Sequence, residues 1–154
     1  MSNVSRSPIL IADDDADDRM LIEDAFEENN IENPLHFVED GEQLLAYLRR
    51  EQPYTDKEGQ PLPKLILLDL NMPKIDGRAA LASIKADDTL RQIPVIILTT
   101  SRAESDISKA YTSGVNSYIS KPVSFDDLVE IVRTIGVYWM DIVALPPSDQ
   151  HSPQ

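Results

Sequence analysis

KLILLDLNMPKIDG, residues 64–77, decides how the fold is read. Four apolar residues in a row, Leu65, Ile66, Leu67 and Leu68, are what a strand covered on both faces requires, since one wet face would impose an alternating pattern. A charge in the middle of such a strand would be cut off from water. Asp69 therefore belongs at the carboxyl end of the strand, followed by a turn signalled by Asn71, Pro73 and Asp76-Gly77. In open α/β sheets that end is where sites are built.

The same grammar repeats on either side. Ile9 to Ala12 is a second buried run, stopping abruptly at Asp13-Asp14-Asp15, and Val95 to Leu98, behind Pro94, ends in the hydroxyls Thr99, Thr100 and Ser101. Leu35 to Val38 and Ser117 to Ile119 are shorter strand candidates, the latter leading into Lys121-Pro122. Helical spacing predicts a helix from Asp15 or Ala16 to about Asn29, with Leu21, Ile22, Ala25 and Phe26 on one face. Two more span Gly41 to Arg49, with Leu44, Leu45 and Leu48 inward, and Gly77 to Ala86, with Ala80, Leu81 and Ile84 inward. A weaker one over about 105–113 is closed by Gly114 as a left-handed cap. Ser124 and Asp127 open the best-marked helix, whose stripe is Leu128, Ile131, Val132 and Ile135.

Residues 50–63, with three prolines and a glycine, read as a surface loop insertion with room for a small hairpin around 57–60. Tyr138, Trp139, Ile142 and Val143 carry the apolar pattern past Gly136, beyond what covering the sheet needs. Tyr138, Trp139 and Ile142 are thus expected to form a surface for self-association or a partner. Residues 1–145 read as one domain and 146–154 as a flexible tail, with nothing after 145 able to fold as an output domain.

Composition narrows the function. Fourteen basic against 27 acidic residues leave a net charge of −13, which repels nucleic acid and anionic membrane surfaces. With no cysteine, thiolate chemistry and disulfides are excluded. The absence of a signal-like or membrane-length apolar stretch points to the cytoplasm.

Five strands alternating with five helices argue a doubly wound parallel sheet, and the flavodoxin-like order 2-1-3-4-5 is the commonest for five units. That order makes the first and third strands neighbours, bringing Asp13, Asp14 and Asp69 into one crevice. Three crowded carboxylates would be driven to protonate unless a cation neutralises them, and Mg²⁺, which takes oxygen ligands, suits them. Thr99 and Lys121, from the ends of the fourth and fifth strands, would add a hydroxyl and an ammonium on the other side. Such a set suits receipt of a phosphoryl group, a reaction governed by positioning and charge neutralisation.

Four separated stretches, ILIADDD, LLDLNMPKIDG, PVIILTTS and GVNSYISKP, together resemble the receiver domain of two-component response regulators, of CheY-like fold, over residues 8–140. The resemblance implies that Asp69 is the phosphoacceptor, charged by a sensor histidine kinase. It implies that Asp14, Asp69 and the Asn71 backbone carbonyl ligate Mg²⁺ (or Mn²⁺), with Asp13 acting through a metal-bound water. Thr99 and Lys121 would hold the phosphoryl oxygens, Tyr118 would be the aromatic switch partner of Thr99, and the Lys121-Pro122 bond would be cis. The 50–63 insertion, the DDDADDR helix start and the ending VYWMDIVALPP further resemble regulators paired with phytochromes. As a switch the chain would expose its fourth-helix, fifth-strand and fifth-helix face to a partner or to a second copy in a homodimer.

Each residue also has an ordinary reading. Asp13 to Asp15 alone could be a solvated helix start, Lys121 a surface lysine, Tyr118 packing, and Thr100 competes with Thr99, which strand register favours. His36 and His151 are read as chemically ordinary. A phosphatase forming an aspartyl-phosphate is the rival enzyme, but Asn71 stands where it would want a second acid. A nucleotide or flavin module would need a Gly-, Ser- or Thr-rich phosphate loop after the first strand, where this chain is acidic. The leading expectation is a switch that signals by binding or phosphorelay, not an enzyme acting on other molecules.

Overall fold

The computed structural model describes residues 7–57 and 59–142, without the side chains of 57 and 140–142. Five strands, β1 (Ile9–Ala12), β2 (Leu35–Val38), β3 (Leu65–Leu68), β4 (Val95–Thr99) and β5 (Ser117–Ser120), alternate with five helices, α1 (Ala16–Glu28), α2 (Gly41–Arg49), α3 (Gly77–Ala86), α4 (Glu104–Ser113) and α5 (Phe125–Ile135). All strand pairs are parallel, in the order β2-β1-β3-β4-β5. The doubly wound order expected from the alternation is the one observed.

Why the central strands are continuously apolar is visible in their two faces. Leu10, Ile66, Leu68, Val95 and Ile97 meet α2 and α3, while Ile9, Ile11, Leu65, Leu67, Ile96 and Leu98 meet α1 and α5. Burying each Leu, Ile or Val contributes about 1.5–3 kcal/mol, so all of β1 and β3, and β4 from Val95 to Leu98, are needed apolar. The edge strand β5 is only half-buried throughout, and β2 for most of its length.

Local chemistry starts most of the helices. Asp15, Asp40, Asp76 and Ser124 each accept backbone N–H groups of the first turn of α1, α2, α3 and α5. Helix α4 has no side-chain cap and buries only Ala110, although Gly114 closes it in the left-handed conformation at φ 101°. In α1, Ile22, Ala25 and Phe26 are buried but Leu21 is 42% exposed, against expectation. Leu21 lies at the margin of a stripe that the sheet covers only along its centre.

Two further expectations are corrected. The 50–63 loop has no strand among its described residues; it forms a tight turn at Thr55–Lys57. Arg50 pins it by donating to the carbonyls of Gln60 (3.2 Å) and Pro61 (3.1 Å). Tyr54 packs edge-on against Tyr47, whose hydroxyl pairs with Nδ1 of His36. The Lys121-Pro122 bond is trans, the sole cis bond among the described residues being Gln52-Pro53. Trans is the lower-energy isomer by about 0.5–1 kcal/mol, and Lys121 N already extends the sheet ladder by donating to Thr99 O at 2.8 Å.

Past α5 a π-helical segment, Gly136–Ile142, turns Trp139 against the α1–α5 core while Tyr138 stays 52% exposed. The two rings meet edge-on at 4.8 Å. Both rings nonetheless line one open hollow with Ile119 and Ile131, Tyr138 being the more exposed. The side chain of Ile142, together with Val143, His151 and the 146–154 tail, lies outside the described residues.

Candidate functional site

Strand register assembles the site. Ala12 pairs with Leu68, so Asp13 and Asp69 leave the sheet side by side, and Asp69 N still bonds Ala12 O at 3.0 Å. Thr99 pairs with Ser120, which carries Lys121 one step beyond Thr99. The β3–α3 connection folds back tightly on Asp69 because residue 77 is glycine. A Cβ there would come within 2.6 Å of Leu70 Cα, and closer still to the Asp69 carbonyl oxygen.

One carboxylate oxygen from each of Asp13, Asp14 and Asp69 falls within 4.8 Å of the others. Asp13 and Asp69 are buried, at 2% and 6% exposure, while Asp14 is open to solvent. Asp69 is hydrogen-bonded on both oxygens. Its Oδ1 accepts from Thr99 Oγ1 at 2.7 Å and from Asn71 N at 3.1 Å, and its Oδ2 accepts from Lys121 Nζ at 2.9 Å. Thr99 is buried and Thr100 exposed, so register selects Thr99.

The sequence led us to expect Lys121 across the crevice and a metal ion as the neutraliser of the acids. Lys121 reaches further than that: its Nζ lies 2.8 Å from Asp13, 2.9 Å from Asp69 and 2.7 Å from Asp18. Burial pushes the Asp13 carboxyl up, and the Lys121 ammonium and the Asp15 N–H pull it partly back. Burial alone would lower the Lys121 ammonium, but hydrogen bonds to Asp13, Asp18 and Asp69 outweigh it and hold its pKa above the ordinary lysine value. Arg19 sits at the rim, bonding the Asp13 carbonyl at 2.8 Å and pairing with Glu39. Three carboxylates, those of Asp13, Asp18 and Asp69, share one ammonium, Asp14 stands beside them without it, and the excess of oxygen donors fits a hard divalent cation.

A second cluster flanks the site. Tyr118 stands within β5, and its hydroxyl donates to Ser101 O at 3.0 Å rather than entering the acid cluster. Ser101 Oγ donates to Asp106 at 2.6 Å, and Arg78 grips both oxygens of Asp106, at 2.8 and 2.7 Å. These bonds tie the β4–α4 loop to the first turn of α3. Asp18 and the Arg78–Asp106 pair were not singled out from the sequence. Asp18 was within reach of it, being one helical turn beyond Asp14; the pair spans two helices and left no local signal.

The sequence profile of the response regulator receiver domain matches residues 9–133. The chain belongs to the response regulator receiver family. Among relatives of this receiver, Rcp1 of Synechocystis is 39% identical over 148 residues, covering 95% of this chain and 99% of its own. The probable methanogenesis regulatory protein FilR2 of Methanothrix harundinacea is 42% identical, covering 86% and 83%. The crystal structure of the phosphorylated cyanobacterial phytochrome response regulator RcpA is 40% identical, covers 92% of this chain and 99% of its own, and superposes with a TM-score of 0.85. Rcp1 is also known in a Mn²⁺-bound form, with a TM-score of 0.83 to this receiver at 38% identity, covering 92% and 99%. The five-stranded CheY-like fold and the closeness to phytochrome response regulators follow. Among the described residues no helix is long and apolar enough to cross a membrane.

Proposed function

We propose that this receiver is a phosphorylation-driven switch in which Asp69 takes a phosphoryl group from the phosphohistidine of a sensor kinase. The P–N bond to the imidazole breaks, its electron pair leaves with the imidazole, and a P–O bond forms to an Asp69 oxygen. The observation that carries this reading is the convergence on one buried carboxylate of Thr99, Lys121 and two further acids. Asp14 and Asp69, with the backbone carbonyl of Asn71 and with Asp13 through a water, would hold Mg²⁺ or Mn²⁺. The ion would supply charge neutralisation at the phosphoryl oxygens. Lys121 Nζ and Thr99 Oγ1, both already bonded to Asp69, are placed to pass to those oxygens as they arrive.

Similarity to Rcp1 and RcpA supports a phytochrome as the kinase. Output would be phosphorylation-dependent protein binding or onward relay, with Tyr118 following Thr99. The α4–β5–α5 face, extended by Tyr138, Trp139 and Ile142, would serve a partner or a second copy; Ile119, Ile131, Tyr138 and Trp139 line an open apolar hollow there. No nucleic acid or membrane contact is part of this reading, and catalysis is confined to the receiver's own phosphorylation and dephosphorylation. The test is exposure to a small phosphodonor with Mg²⁺. A mass increase of one phosphoryl group is expected in the wild type and none in Asp69→Asn; no increase, or one that survives Asp69→Asn, overturns the reading.

A further inference from the structure

We propose that Asp18 is a positioning residue that competes with the incoming phosphoryl group for Lys121, and so sets how tightly the site takes its anion. The inference rests on the phosphoacceptor reading and extends it to a residue that reading does not use.

An ammonium has three N–H donors, and Lys121 aims them at three carboxylates, with Asp18 the closest at 2.7 Å. The donor set is full. A phosphoryl group carrying close to two negative charges needs one of those donors, so an existing bond must weaken. Asp13 is a poor one to release, because its side chain is only 2% exposed and would be left charged out of water. The donor on Asp69 can pass to the phosphoryl group that Asp69 then carries, but to follow those oxygens the ammonium must move away from Asp18. Asp18 remains: its side chain is 35% exposed, so water replaces Lys121 at little cost, yet while it holds on it draws the ammonium toward α1. Its own charge, on the same ammonium, also repels the arriving anion. The N-cap fixes where Asp18 sits, since Asp15 Oδ1 accepts the N–H groups of Asp17 and Asp18 at 2.9 and 3.1 Å.

The experiment is titration of the receiver with beryllofluoride, a noncovalent phosphoryl mimic, at saturating Mg²⁺, followed by ¹⁹F NMR. Asp18→Asn is expected to tighten beryllofluoride binding by about threefold to tenfold, the scale of one partly screened charge pair. Asp18→Glu, which keeps the carboxylate, is expected to stay near wild type, and Asp18→Ser to repeat the gain should the Asn variant be unstable. Asp17→Asn removes a neighbouring charge that does not touch Lys121 and is the control for long-range electrostatics. Equal affinity in wild type, Asp18→Asn and Asp18→Ser overturns the proposal, and so does an equal gain from Asp17→Asn. If wild type binds no beryllofluoride and takes no phosphoryl group from a small donor, the phosphoacceptor reading itself falls; a binding wild type with an unresponsive Asp18→Asn removes only the role of Asp18.

Discussion

Two ionic clusters sit at the carboxyl edge of one sheet and differ in how many acids press on each cation. At Lys121, three carboxylates compete for one ammonium and a fourth, Asp14, stands by. At Arg78, one guanidinium closes on both oxygens of Asp106, Ser101 completes the set, and Asp76 adds a weak contact at 3.4 Å. The first cluster is left wanting a cation; the second wants nothing. Unsatisfied charge is where a ligand enters, whereas satisfied charge fixes the backbone around it, here the loop that carries Ser101.

The sharpest break in that contrast is Lys121→Met. It leaves Asp13 and Asp69 buried without their shared cation, so metal-free stability is expected to fall by about 3 kcal/mol. If the acids hold Mg²⁺ as proposed, the ion should recover part of the loss, because it would bind only the folded state. Chemical denaturation with and without Mg²⁺ reads both. A loss that Mg²⁺ leaves untouched would mean that the acids are not the reason for it.

Next in size is Gly77→Ala. The added methyl has no room against the Asp69 and Leu70 backbone, so about 1–3 kcal/mol of stability is expected to go. The connection must also shift, and Mg²⁺ affinity measured by calorimetry should drop with it. Unchanged stability would show that the connection gives way without cost.

The smallest effect is expected at the closed cluster. Arg78 is 41% exposed and solvent screens its pair, so Asp106→Asn should cost only about 0.5–1 kcal/mol. The Arg78 guanidinium and the Ser101 hydroxyl hold the Asp106 carboxyl well below the usual carboxylate range. A depressed acid stabilises the fold above its unfolded pKa of about 4 and loses that contribution as pH falls through the lower folded value. The gap between wild type and Asp106→Asn should therefore be flat from about pH 5 to 8 and narrow only below about pH 4. A gap that changes across neutral pH would show that another group supplies it.

What could be read in advance was whatever a short stretch of chain dictates. Continuous apolar runs marked β1, β3 and β4, acids and hydroxyls at their ends marked the edge of the sheet, and crossover rules placed Asp13 beside Asp69. What eluded the sequence depends on contacts between elements. Leu21 carries the period of a buried residue but lies past the margin of the sheet. Trp139 and Tyr138 are adjacent in sequence, and only the π-helical turn decides which of them meets the core. Lys121 was visible as a cation for Asp69, but its hold on Asp18 depends on how α1 leans over the site.

Helix α4 buries one alanine and begins without a capping side chain. Its first turn is steadied by the Arg78 grip on Asp106, a pair worth about 0.5–1 kcal/mol. A charge-assisted hydrogen bond of Thr99 to a phosphoryl oxygen is worth about 1.5–3 kcal/mol, enough to outbid it. On the proposed reading, a lever this lightly hinged would need no rearrangement of the hydrophobic interior to swing, and a chemical event on one oxygen atom would become large enough for another protein to feel.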